Sequence, residues 1–259
     1  CGVSLEEFIE VVMKKMNANH LKLIAIIAMT IDHIADLLYP GMPNNMESNI
    51  MHIIGRLTAP IMFFFICEGF YYTKSLKKYI TRLFIFSIIS HFAYCYAFGI
   101  NAIPFIDGNI FNQTSIMWSL AWAVVALYIV YGENKLKEWQ KTLLIIFICL
   151  ITFCADFSSI AVMAIISMYK NRGNLKKQCS SMMIWLGLYA IISFIFVNKV
   201  YGILVLFSVL VYPILKLYDG TKGKSKWMKW MFYLYYPLHL VVIGICRVVM
   251  YGDITLLFK

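Results

Sequence analysis

The sequence predicts an all-α fold, a polytopic integral membrane helix bundle with about nine transmembrane segments. Three observations predict it. Of 259 residues, 61% are hydrophobic and only 14% charged, against roughly 45–50% and 25% in an ordinary soluble domain. The apolar residues fall into runs near the ~20 residues that a helix needs to cross a bilayer. Lysine and arginine gather in alternate connections between those runs. A soluble enzyme, a disordered chain and a disulfide scaffold are excluded. The formal charge of +10 is explained by basic loops, so no nucleic-acid partner is expected.

The runs, in order, are 21–39, 57–73, 80–99, 115–131, 141–155, 157–169, 179–198, 201–217 and 229–251. Their lengths and the absence of period-2 alternation argue against a β-barrel. The fifth and sixth are short and separated by Asp156, as in a hairpin that does not fully cross or a pair that turns tightly outside. In the eighth, Pro213 lacks the N–H of a helical residue and should kink the helix near its end. The seven cysteines show no CxxC spacing and read as small buried apolar residues. No metal is expected.

Charge sets the orientation. With the N-terminus inside, nineteen of the 23 Lys and Arg fall in cytoplasmic segments; Arg56, Lys199, Arg247 and Lys259 remain outside. The expectation is a multi-pass protein of a bacterial-type cytoplasmic membrane, in contact with the lipid bilayer. Residues 1–18 read as an amphipathic cytoplasmic segment and 19–259 as the membrane domain. Ser4 and Glu7 have capping-box spacing, and Leu5, Phe8, Ile9 and Val12 share a helical face. The chain starts at Cys1, which leaves open whether 1–15 is native, with Met13 and Met16 as alternative initiators.

Ionisable residues inside spans cost from about 2.5 kcal/mol upward and by default mark function. In the first span Asp32 and Asp36 are four apart and share a face, with His33 beside Asp32. A histidine next to a carboxylate has the parts of a general base and its orienting partner. The plain alternative is an ion pair that fixes helix packing. Arg56 opens the second span at the depth of Asp36; it can pair with Asp36, hold an anionic or carbonyl group, or snorkel to the interface. Glu68 lies about 18 Å further along that helix, either in the site or in a structural pair. His91 falls near the bilayer centre, and Tyr235 and His239 share a face of the last span. A membrane histidine also serves simply to bond a neighbouring helix. Asn109, Asn112, Gln113 and Thr114 fit loop or capping duty. The basic loops, with Lys74, Lys78 and Arg82 in one of them, fit either topology and anionic lipid or the phosphates of a CoA ester.

The stretches "HLKLIAIIAMTIDHIADLLYP", "IIGRLTAPIMFFFICEGFYYTKSLKKYITRLFIFSIISHFAY" and "YLYYPLHL" resemble the TraX family. Those membrane proteins are linked to N-terminal acetylation of conjugative pilin. "FCADFSSIAVMAIISMYKNR" is similar to the family's middle segment, with Phe and Ser where a Tyr-Gly pair is usual. TraX proteins in turn look like distant relatives of the transmembrane acyltransferases. In those enzymes the first span runs from a basic residue to a catalytic histidine. Lys22 to His33 resembles that arrangement, with lysine where arginine is frequent. The resemblance implies acetyl transfer from cytoplasmic acetyl-CoA to a peptide N-terminus or a surface glycan. It places the catalytic role on His33, oriented by Asp32 or Asp36, with Lys22 toward the donor.

A proton-coupled transporter is the competing class, using the same buried residues as a relay. Transporters often carry internal repeats, and none is visible between the halves of this chain. A membrane scaffold would leave Asp32, His33 and Asp36 without a purpose.

Overall fold

The computed structural model describes residues 16–106, 110–225 and 227–252. The amphipathic segment expected before Met16 lies outside the described residues. The fold is helical. Among the described residues the β contacts are two isolated bridges, Met16 with Tyr218 and Thr114 with Ala155.

Helix α1, Ala18–Leu38, starts at Asn17, whose side chain accepts from the N–H groups of Asn19 and His20. Helix α2, Met46–Gly55, starts at Asn45 and has Glu47 in its first turn. Helix α3, Thr58–Tyr72, follows after a break at Arg56 and Leu57. Ser75 caps α4, Leu76–Phe98, which ends on Gly99 in the left-handed conformation. Helices α5, Ile116–Tyr131, α6, Glu138–Thr152, and α7, Ser158–Lys170, come next. Asn174 caps α8, Leu175–Phe196. Asn198 caps the short α9, Lys199–Val205. A 3-10 stretch, Leu206–Leu210, leads into α10, Val211–Lys216. The last helix is α11, Met228–Tyr251.

Five helical stretches are long and apolar enough to cross a membrane: Met46–Tyr72, Leu76–Phe98, Leu175–Phe196, Lys199–Lys216 and Trp230–Tyr251. Ile116–Tyr131 and Ser158–Lys170 are shorter apolar helices. The nine expected runs are these seven plus α1 and α6, which length and composition alone do not select. Large side chains on the outer faces, such as Ile88, Phe147, Ile191 and Val249, are exposed, as lipid-facing residues are. This is a membrane protein.

Two expectations are corrected in detail. The second span was expected to begin at 57, but helix already runs from Met46 and is interrupted at Arg56. Residues 201–217 were expected to form one helix with a kink near Pro213. Instead the coil tightens to 3-10 just before that residue, because Pro213 offers no N–H to the preceding turn. The fifth and sixth runs form separate helices joined by a turn at 153–157, where Gln113 N–H donates to the Cys154 carbonyl and Asp156 N–H to the Thr114 carbonyl.

Helix α5 lies at the centre. Leu120, Ala121, Ala123, Val124, Ala126 and Leu127 are all fully buried, as an all-round apolar helix should be, and its alanines let neighbours approach closely. Helix α11 packs along α4 and against α1, while α3 packs against α1, α5 and α7. The basic end of the bundle carries Lys22, Lys74 and Lys222; Met16 and Ala18 are tied there to the 217–221 turn. At the opposite end the Tyr251 hydroxyl donates to the Leu37 carbonyl.

Candidate active site at the helix break

His33 lies about 22 Å along α1 from its start, at 1.5 Å per residue. Its Nδ1 is 2.7 Å from His239 Nε2, and the two rings stack. His239 Nδ1 is 2.9 Å from the Tyr235 carbonyl. That carbonyl only accepts, so His239 Nδ1 carries the proton. In the neutral pair His239 Nε2 is then bare, and His33 Nδ1 must donate to it. The relay therefore leaves His33 Nε2 as an unprotonated lone pair, and His33 is among the residues that line a cavity of about 40 Å³. Tyr235 is pinned in turn: the Thr30 hydroxyl donates to the Ile26 carbonyl, so the Tyr235 hydroxyl donates to Thr30 at 2.7 Å.

Asp32 faces the α2–α3 break. Arg56 Nη2 donates to both of its oxygens, at 2.8 and 2.6 Å. His52 Nδ1 lies 2.8 Å from Oδ1. Paired with a guanidinium, the carboxylate only accepts, so His52 donates through Nδ1. His52 and Arg56 are deeply buried. Interrupting the helix at Arg56 and Leu57 lets the guanidinium reach sideways to α1. Gly55 permits the approach, because a Cβ there would run into the Asp32 carboxyl group. Gly55→Ala is therefore expected to lower stability by about 1–3 kcal/mol, an overpacking cost; thermal unfolding in detergent measures it.

Asp32, His33, Arg56 and Asp156 line the same small cavity, with Met29, Ala59 and Met62 as apolar wall. A second cavity, of about 520 Å³, opens at the basic end. Lys22, Lys74, Arg82 and Lys222 line it, with Phe65, Tyr72 and Phe232 among its aromatic walls. Lys22 Nζ sits 5.2 Å from the centre of the Phe65 ring.

A family model described as TraX protein matches residues 17–247. The chain belongs to the TraX family. It is 28% identical over 237 residues to the probable fimbrial assembly protein FimC, serogroup H1, of Dichelobacter nodosus, covering 88% of this chain and 94% of that one. It is 34% identical over 125 residues to an uncharacterized protein of Rickettsia prowazekii (strain Madrid E), covering 40% of this chain and 48% of the relative. No solved structure matches it.

In this TraX chain the structure brings His33, His239 and Tyr235 together, and Asp32 with Arg56. It does not hydrogen-bond His33 to either aspartate. Consecutive residues point about 100° apart on a helix, so Asp32 turns to Arg56 while His33 turns to α11. Arg56 was expected at the level of Asp36; it pairs with Asp32 instead, because helix already runs from Met46 and carries Arg56 deeper than a span start at 57 would. Asp36 lines a separate cavity of about 240 Å³ with Phe98, Arg247 and Tyr251. Both nitrogens of His91 are engaged, by Thr114 Oγ1 at 3.0 Å and the Ala102 carbonyl at 2.8 Å. They fasten the two loop ends to α4. Glu68 lines the basic-end cavity and pairs with Arg172 at 2.8 and 3.2 Å, while that guanidinium stacks on Tyr71. Lys22, Lys74 and Arg82 line the same cavity and Lys78 does not. Sequence reasoning missed His52. Its signal was the four-residue spacing to Arg56, which puts both on one helical face. Among the described residues no cluster of three or more His, Cys, Asp or Glu is placed to hold a metal.

Proposed function

We propose that this TraX chain is a membrane acetyltransferase that uses acetyl-CoA as cosubstrate. The observation that carries the reading is the Tyr235–His239–His33 relay, which leaves unprotonated the Nε2 of a histidine that lines a small cavity. A base of that kind, held by its other nitrogen, suits proton abstraction from an acceptor. The basic-end cavity fits the donor: its lysines and arginine match phosphates, and its aromatic walls match an adenine ring. Lys78 would meet the donor only outside this cavity.

In the reaction, an acceptor amine or hydroxyl attacks the thioester carbonyl carbon while His33 Nε2 takes its proton. The new bond to the acetyl carbon forms, the carbon–sulfur bond breaks, and the imidazolium returns the proton to the thiolate. The products are the acetylated acceptor and free CoA. The oxyanion forms close to Arg56, already oriented by Asp32. Donor entry from the cytoplasm follows from the charge asymmetry of the loops. The relative named for fimbrial assembly makes a peptide N-terminus the first acceptor to test, with a glycan hydroxyl as the second.

The test is purified protein with acetyl-labelled acetyl-CoA and an apolar peptide bearing a free N-terminus. Label on the peptide is expected. Label left on His33 when acceptor is omitted would mark a two-step route. Proton flux in liposomes with no acetyl transfer to either acceptor would overturn the reading in favour of transport. Arg82→Gln is expected to raise the KM for acetyl-CoA by about tenfold, the loss of one charge-assisted hydrogen bond, with kcat little changed; steady-state kinetics checks it.

A further inference from the structure

We propose that Met62 is the partition that decides which acyl groups reach His33. The inference rests on the acetyltransferase reading and adds the residue that sets acyl length. The basic-end cavity and the His33 cavity have one lining residue in common, Met62. The same helices wall both at successive turns. On α5, Leu120 lines the larger cavity and Ile116, one turn away, the smaller. On α11, Tyr233 lines the larger and Tyr236 the smaller. The two spaces lie on one track along the bundle, and on α3 a single side chain stands between them.

That side chain suits the task. Met62 is 5% exposed, unbranched, and has three rotatable bonds, so it can swing without breaking a hydrogen bond. A thioester docked with its phosphates at the basic end must pass its acyl group by Met62 to meet His33 Nε2. Beyond it lies about 40 Å³, less than a tenth of the 520 Å³ of the basic-end cavity. Two carbons fit there. A four-carbon tail would need the volume that Met62 fills, so the wild-type chain should favour acetyl over butyryl thioesters. Shortening Met62 joins the two cavities and removes the filter.

The experiment measures kcat/KM with acetyl-, propionyl- and butyryl-CoA for wild type, Met62→Ala, Met62→Val and Met62→Leu. CoA binding and melting temperature are measured alongside. Met62→Ala is expected to raise the butyryl-to-acetyl ratio by at least about tenfold, the usual scale for methylene discrimination in an apolar pocket. A CoA affinity that falls while the acyl ratio stays put would make Met62 part of the donor wall and overturn its role as a filter. Met62→Val should give a smaller rise in the same direction, and keeps the test open where the alanine variant does not fold. Met62→Leu should keep the wild-type ratio. Active Ala and Val variants with an unchanged acyl preference would overturn the role of Met62 and leave the acetyltransferase reading standing. A wild-type chain that transfers none of the three acyl groups would overturn that reading, and the filter with it.

Discussion

Replacing His33 by asparagine is expected to lower acetyl transfer by about 10³-fold, within the range for loss of a general base. Asparagine is the informative choice. Its amide nitrogen takes the place of His33 Nδ1 and can still donate to His239 Nε2, so the contact between α1 and α11 is kept while the Nε2 lone pair is lost. Melting temperature and CoA binding should therefore stay near wild type. His239→Ala makes the complementary change. It leaves the base but removes the acceptor that holds the His33 proton on Nδ1. The ring is then free to choose the other tautomer and another orientation. A smaller loss is expected, about 10–100-fold, as for other outer-shell partners of a functional histidine. Turnover of labelled acetyl-CoA at matched protein concentration measures both. Wild-type turnover by the asparagine variant would remove His33 from the chemistry.

How much of this was legible in the sequence follows from the range of each interaction. Apolar runs and the position of His33 inside one of them are local properties, and the sequence carries them openly. The cluster Asp32, His33 and Asp36 was visible because its members are neighbours on one helix. Their partners were not. His239 is 206 residues from His33, and only the packing of α11 on α1 says that they meet. The α2 segment lies between the first two expected apolar runs, 21–39 and 57–73. It is helix because Asn45 caps it and because Ser48, His52 and Gly55 bury one face against α1. Starting the second span at 57 hid His52 and moved Arg56 to the wrong level. Glu68 shows the same limit: its depth on α3 was legible, but its partner Arg172 comes from the loop after α7.

Breaking the Asp32–Arg56 pair from one side should have the largest effect on folding. Asp32→Ala leaves a guanidinium that is 5% exposed without its carboxylate and removes the acceptor of His52 Nδ1. A buried charge stripped of its partner costs about 3–5 kcal/mol. Asp32→Asn should cost less, because an amide oxygen still accepts from Arg56 or His52. The double change Asp32→Ala with Arg56→Met should recover part of the loss, since no charge is then left buried. The four-corner cycle built on Asp32→Ala and Arg56→Met gives the coupling free energy of the pair. Unfolding in detergent measures each corner. The control is Glu138→Ala, which removes the exposed partner of Lys141 and should cost under about 1 kcal/mol. If Asp32→Ala is as mild as that control, the pair does not hold the break, and Asp32 and Arg56 sit together for the chemistry at His33 alone.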